Sequence, residues 1–175
     1  MKRYILTGTP GAGKTSLIRY LEMMGHEVVE EAATDIIALE QAQGLADPWN
    51  NPPVFIDKIV ALQMQRQARS NAALQFFDRC PVDAYALAIY ADISPTALLQ
   101  EELSRIKQEE IFQKRVFFIE NLGFCVPTEA RKITFDDALR FEKIHEEVYE
   151  SLGYELIKIA PQPIPQRVDN ILRLL

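Results

Sequence analysis

Residues 8–16 read GTPGAGKTS and follow directly on the apolar run Tyr4-Ile5-Leu6. A stretch so poor in bulky side chains cannot fill a core, and its spacing is G-x-x-x-x-G-K-T, with Gly8, Gly13, Lys14 and Thr15 at the fixed positions. Glycines let successive backbone N–H groups turn inward around an anion with no Cβ in the way. Thr9, Pro10, Gly11, Ala12 and Ser16 complete that loop. The helix that follows points its positive end at the same anion. In this pattern Lys14 reaches the β- and γ-phosphates and the Thr15 hydroxyl ligates Mg²⁺, which makes ATP with Mg²⁺ the expected ligand. A match by chance arises in about one of a hundred chains of this length. Context lowers that rate: a short strand precedes the loop, and Leu17, Ile18, Leu21 and Met24 recur at helical spacing after it.

The rest of the chain alternates. Strands are expected at 27–30, 74–78, 116–119 and 155–159. Helices are expected at about 34–43, 54–71, 82–91, 94–106, 135–152 and 165–174, with Ser94 and Thr134 as caps and Pro95 opening its helix. Segment 44–53 reads as loop, broken by Asp47-Pro48 and Asn51-Pro52-Pro53. Five strands separated by helices imply a three-layer α/β fold, a parallel sheet covered on both faces. With 175 residues the expectation is one domain, large enough to need no staples. Its net charge of -6 weighs against a broad nucleic-acid or anionic-membrane footprint. No stretch is long enough to span a bilayer. Cys80 and Cys125 have no metal-ligand spacing, so reduced thiols in a cytoplasmic protein are expected.

Ligands of parallel sheets sit at the carboxyl ends of the strands. Here those ends carry the glycine loop, Glu30-Glu31, Asp78-Arg79 and Glu120-Asn121. Asp78 after LQFF fits an acid that holds Mg²⁺ directly or through water. Asp83 fits the plainer role of capping the next helix. Arg79 is placed to offset charge on a transferred phosphoryl group or to grip an acceptor. Glu31 is placed to take the proton of an attacking hydroxyl, and Glu30 is as close in sequence; period two sends the pair to opposite faces, so the pattern leaves both open. Residues 121–133 form a candidate lid, with Arg131 and Lys132 at its far end and Arg140 beyond, able to close over phosphates or base. Trp49 and Phe55 could line an acceptor pocket. His26 and His145 are isolated, His145 on a charged face with Glu142 and Glu146, and neither is given a role.

GTPGAGKTS, Glu31 with Ala32-Ala33 and an Ile36-Ile37 helix, FFDRC, Arg131 and Gln166-Arg167-Val168 together resemble an AAA family of small predicted ATP-binding P-loop proteins. Nicotinamide-riboside kinase domains lie near it, and it is similar to nucleoside and nucleotide kinases. The resemblance implies a P-loop NTPase sheet of order 2-3-1-4-5 and puts Glu31, rather than Glu30, at the acidic position after strand two. FFDRC is similar to the acid–arginine pair of deoxynucleoside kinases. Two departures stand out. Thr34 occupies the place where the family often has arginine, and the lid arginines are not paired at close spacing.

Three function classes follow. The first is a small-molecule kinase moving the γ-phosphoryl of ATP to a metabolite. The second is a nucleotide-dependent switch or ATPase that acts through a protein partner. The third is a polynucleotide-end kinase, which the acidic balance disfavours. A GTPase would need an N-K-x-D stretch, which is absent from the sequence. The strand-end carboxylates and the lid favour the kinase. Acceptor specificity then falls to the Thr34 helix, the 44–53 loop and the long helix bearing Gln63, Arg66 and Arg69.

Overall fold

The computed structural model describes residues 1–122 and 135–175. Among them the strands are β1 (Lys2–Thr7), β2 (Glu27–Val29), β3 (Leu74–Asp78), β4 (Arg115–Ile119) and β5 (Glu155–Ile159). The helices are α1 (Lys14–Met23), α2 (Ala33–Ala42), α3 (Pro52–Arg69), α4 (Pro81–Tyr90), α5 (Ala97–Gln108), α6 (Phe135–Ser151) and α7 (Ile164–Arg173). All pairings are parallel and the order is β2-β3-β1-β4-β5. This is the sheet order implied by the sequence resemblance, with helices on both faces.

Period two along each strand divides the core. Tyr4, Leu6, Phe76, Phe117 and Ile119 face α1 and α7, through Leu17, Leu21, Val168 and Ile171. Ile5, Phe77 and Val116 face α4 and α6, through Val82, Ala86, Val148 and Tyr149. A further layer lies outside α4, where Ile56 and Val60 of α3 meet Ala84, Ala88 and Leu99. α2 and Trp49 cover the other side of α3 around Phe55 and Ile59.

Element boundaries shift by one to three residues from the sequence reading, and three of the shifts matter here. β2 stops at Val29, so Glu30 and Glu31 both lie in the connection to α2. α3 begins at Pro52, because the first turn of a helix needs no N–H from proline. α5 begins at Ala97, not near Ser94. Its cap is Thr96, whose oxygen accepts from Leu99 N at 3.2 Å while its hydroxyl donates to Asp57 of α3 at 2.5 Å. That tertiary bond selects Thr96 over Ser94. The expected cap Thr134 lies outside the described residues.

The register sets the ligand edge. Leu6 of β1 is level with Asp78 of β3 and Phe117 of β4, so the glycine loop leaves the sheet between two strand ends. β4 passes so close that a Cβ on Gly8, at φ 127°, would lie 2.3 Å from the Ile119 carbonyl oxygen. At Gly25, φ 89°, a Cβ would meet nothing within 4 Å. Gly8→Ala should therefore lower stability in urea unfolding by about 2–4 kcal/mol. Gly25→Ala should lower it by about 1–2 kcal/mol, for backbone conformation alone. Equal losses would mean that the close approach of β4 does not constrain the loop.

Candidate functional site

The loop from Gly8 to Gly13 turns on glycines with positive φ, at 127° for Gly8, 87° for Gly11 and 85° for Gly13. Gly13 ends the loop and α1 begins at Lys14. With Thr15 and Ser16, the loop lines a cavity of about 300 Å³, whose other walls are Glu31, Asp78 and Arg79. Of the positions expected to hold phosphate, Pro10, Gly11, Gly13, Lys14, Thr15 and Ser16 line this cavity and Gly8, Thr9 and Ala12 do not, while Lys14, Glu31, Asp78 and Arg79 share it. Arg131 lies outside the described residues, as do 123–133 of the candidate lid. Arg140 lies over the Tyr90 ring, 5.5 Å from its centroid.

Two arginine contacts shape this edge from below and beside it. Arg167 of α7 is buried and donates to Ala12 O at 3.1 Å. Arg66 of α3 donates to the carbonyls of Glu30 and Glu31, at 3.0 and 2.6 Å, and pairs with Asp35. This fixes the turn after β2 and separates the two glutamates. Glu30 faces outward to Arg19, 2.9 Å away. Glu31 turns into the cavity. Of the two glutamates that the sequence period left open, Glu31 is the one that lines this cavity.

Lys14 is buried, and its ammonium donates to the carbonyls of Gly8 and Thr9 at 2.8 and 2.6 Å. Burial, with Arg79 adding to it, lowers its pKa to about 7. The Thr15 hydroxyl donates to Asp78 Oδ2 at 3.0 Å. Asp78 Oδ1 is buried and has no hydrogen-bond partner. Burial pushes this carboxyl above its usual range, against the pull of Lys14. A hydroxyl and a carboxylate side by side, one oxygen unpartnered, fit a hard divalent cation. Among the described residues no three His, Cys, Asp or Glu side chains are grouped to hold a metal. A cation here would therefore complete its shell with ligand phosphates and water, as Mg²⁺ commonly does.

Arg79 has φ 70°, in the left-handed region, a strain of about 1–3 kcal/mol for a side chain of this type. Its N–H bonds Leu6 O at 3.1 Å, and the turn sends the guanidinium back across the strand ends. Nε lies 3.3 Å from Glu31 Oε1 and Nη1 3.1 Å from Asp83 Oδ1. Burial works against its charge, but Asp83, Glu31 and Asp78 outweigh burial and hold it protonated more firmly than usual. The other oxygen of Glu31 accepts from Thr34 at 2.7 Å.

Asp83 does cap α4, accepting from Cys80 N at 2.9 Å. It does more than that. The same carboxylate accepts from Thr7 at 2.5 Å, Tyr149 at 2.6 Å and Arg79. Burial opposes its charge, yet His145, Arg79 and Thr7 together hold it well below the carboxylate range. His145 is fully buried in this network, which corrects its placement on a charged outer face. Its Nδ1 lies 2.8 Å from Phe141 O and its Nε2 3.2 Å from Arg79 Nη1. Nε2 also lies 3.4 Å from Asp83 Oδ1. Burial, with Arg79 adding to it, lowers the pKa of the imidazole against the pull of Asp83, and a neutral ring with its proton on Nδ1 suits a carbonyl that only accepts and a guanidinium that only donates. Sequence pattern missed this because glutamates flank His145 at 142 and 146, whereas the imidazole occupies the inner stripe with Phe141, Val148 and Tyr149.

A second cavity, of about 420 Å³, opens beside the first. Trp49 and Phe55 line it, as their positions suggested, with Gln63, Thr34 and Phe141. Pro10, Glu31 and Arg79 belong to both cavities. No described helix is long and apolar enough to cross a membrane.

A family model described as an AAA domain matches residues 3–167. The chain belongs to that family. No curated protein sequence matches it. Among solved structures, a deoxyadenosine kinase from M. mycoides with bound dATP aligns with TM-score 0.63 at 13% identity, over 99% of this chain and 98% of that one. A shikimate kinase from Acinetobacter baumannii in complex with shikimate aligns with TM-score 0.58 at 18% identity, over 99% and 92%. The fold is therefore that of P-loop kinases of nucleosides and small metabolites.

The buried imidazole makes a pH-dependent prediction. Burial lowers the pKa of His145, although Asp83 pulls it up. The unfolded chain then binds more protons below about pH 6.5, so stability falls as pH drops through that value. Urea unfolding at about pH 7.5 and 5.5 should show this loss, and His145→Gln, which keeps an acceptor toward Arg79, should flatten it. An unchanged slope in the variant would mean that His145 is not the group responsible.

Proposed function

We propose that this AAA-domain protein is an ATP-dependent kinase that transfers the γ-phosphoryl group to a hydroxyl of a small acceptor. One observation carries the reading. The phosphate cradle and the apolar cavity beside it meet at Pro10, Glu31 and Arg79. A switch needs a nucleotide pocket; a kinase needs a second chamber opening onto the same phosphate.

In this reading ATP lies with its phosphates along Gly8 to Ser16. The loop amides and the N-terminus of α1 face the triphosphate, and Lys14 exchanges its two carbonyl partners for phosphate oxygens. Thr15 and Asp78 would hold Mg²⁺, which when bound draws charge from the β- and γ-phosphates. The acceptor sits in the second cavity with its hydroxyl at Glu31. As the new acceptor O–P bond forms, the bond from the γ-phosphorus to the ADP oxygen breaks. The hydroxyl proton passes to Glu31. Arg79 stays charged beside the transferring group, where its field is most useful in the transition state. Thr34 and Arg79 orient the Glu31 carboxylate, and Arg66 fixes its backbone.

The lowered pKa of Lys14 sets a test of the cradle. Phosphates favour the charged ammonium, so the free protein must take up a proton to bind them above pH 7. Calorimetry with ATP and EDTA at about pH 8, in buffers of different ionisation enthalpy, should show uptake approaching about one proton per nucleotide. In thermal melts Mg-ATP should raise Tm, and Lys14→Ala should remove most of that shift. A full shift in the variant would place the nucleotide elsewhere.

The chemical step has its own test. ATP consumption should be slow alone and much faster with one acceptor of a metabolite screen. Glu31→Gln should then lower kcat by about 10²–10⁴ while weakening ATP binding far less. Suppose that no acceptor accelerates consumption and that the ATP and ADP forms differ in affinity for a protein of the same cell. The switch reading would then replace this one.

A further inference from the structure

Arg167 of α7 is a buried cation that the proposed chemistry does not use. Its side chain is only 2% exposed, and Nη1 donates to Ala12 O at 3.1 Å. Nε and Nη2 are buried and have no hydrogen-bond partner. Its neighbours along α7, Val168 and Ile171, belong to the apolar layer that also holds Ala12 and Leu17. Among the described residues no carboxylate is in ion-pair contact with it; Glu120 acts from farther off, and burial outweighs its pull. A guanidinium keeps its charge even so. A charge therefore stands inside the protein without a counter-ion in contact, which is expensive.

The position of Arg167 points to what offsets that cost. The peptide bonds are all trans, so Ala12 C=O and Gly13 N–H point to opposite sides of one peptide plane. Arg167 holds the oxygen side. On the other, Gly13 lines the phosphate cavity, whereas Ala12 is fully buried and does not. Among the described residues no backbone carbonyl takes the Gly13 N–H. The guanidinium also packs against Gly13, where a Cβ would come within 3.3 Å of Nη1. A charged donor on a peptide oxygen draws electrons across the amide and makes its N–H a stronger donor in turn.

We infer that Arg167 is a positioning residue for polyphosphate: it acts through the Ala12–Gly13 peptide, aims and strengthens the Gly13 N–H toward an anion in the cavity, and gains from that anion the counter-charge it lacks in the free protein. The inference rests on the cradle reading of the proposed function and not on the kinase step. Lys14 serves the same anion from the cavity itself; Arg167 serves it from behind one peptide. The rival role is a brace, in which the arginine only ties α7 to the loop and water satisfies Nε and Nη2. A brace needs the N–H donor. The role inferred here needs the charge as well.

Two variants of the full-length chain separate these needs. Arg167→Lys keeps both donor and charge, and Arg167→Gln keeps a donor alone. The ligands are inorganic tripolyphosphate and ATP, each with Mg²⁺, and the measurement is calorimetry. Glutamine should weaken both by about tenfold or more, the margin of a charge-assisted over a neutral hydrogen bond. Lysine should recover most of that loss. The unliganded Tm reports that each variant folds, and Arg167→Met, neutral and of similar length, takes the place of glutamine if that variant does not. Equal affinities in the lysine and neutral variants would overturn the inference and leave Arg167 a brace, as would a neutral variant that binds like the parent. A parent that binds neither ligand would sink the cradle reading, and this inference with it. A parent that binds both but phosphorylates no acceptor would sink the kinase reading alone, and the comparison of variants would still decide the role of Arg167.

Discussion

Arg79 is a buried cation at the point where the layers of this protein meet. Asp83 holds it from α4, Glu31 from the turn after β2, and His145 from α6, while its backbone N–H is tied to β1 through Leu6 O. Each partner comes from a different element. Removing Glu31 or Asp83 would leave buried charge short of a partner, a loss of about 3–5 kcal/mol. Such a pair is weak evidence for net stability, since desolvation offsets much of its attraction. Its value lies in position. The guanidinium is set at the mouth of two cavities by a backbone that accepts left-handed strain to put it there.

The glycine loop is organised on the opposite principle. There the bare backbone supplies the field, Arg167 supports the loop at Ala12 O, and Lys14 is held on two loop carbonyls. Buried beside Arg79, it loses much of its hold on its proton. An arriving polyphosphate reverses that balance. Arg79 keeps its charge because carboxylates surround it; on the proposed reading, Lys14 would regain its charge from the phosphates of the ligand. The difference follows from burial and from Arg79, which together outweigh the pull of Asp78, Glu31 and Asp83 on Lys14.

What the sequence revealed follows the range of the forces involved. The loop, the five strands and the gathering of Lys14, Glu31, Asp78 and Arg79 at one edge depend on local spacing and on the direction of parallel strands. Those are legible. Which glutamate lines the cavity was open in the pattern because the turn that carries both is held by Arg66, 35 residues from Glu31. The cap of α5 depends on Asp57, 39 residues from Thr96. His145 looked like part of a polar face because glutamates flank it at 142 and 146, yet a half-turn of helix separates an outer stripe from an inner one. Tertiary partners decide all three, and no local period encodes them.

Thr34 ties these threads together. The resemblance leads one to expect arginine there, and an arginine would have brought a second cation to the acceptor cavity. Thr34 brings a hydroxyl instead, donated to Glu31 at 2.7 Å. The carboxylate is still oriented, but the cavity keeps its acidic wall, with Asp83 and Asp137 beyond. On the proposed kinase reading, an acceptor anion that arginine would have welcomed has no counter-ion at this position. The same substitution leaves Glu31 with a neutral donor on one oxygen and a cation on the other. A neutral donor orients a base while lowering its proton affinity less than a second cation would. On the kinase reading proposed above, a single residue thus moves the site toward neutral acceptors and toward a stronger base.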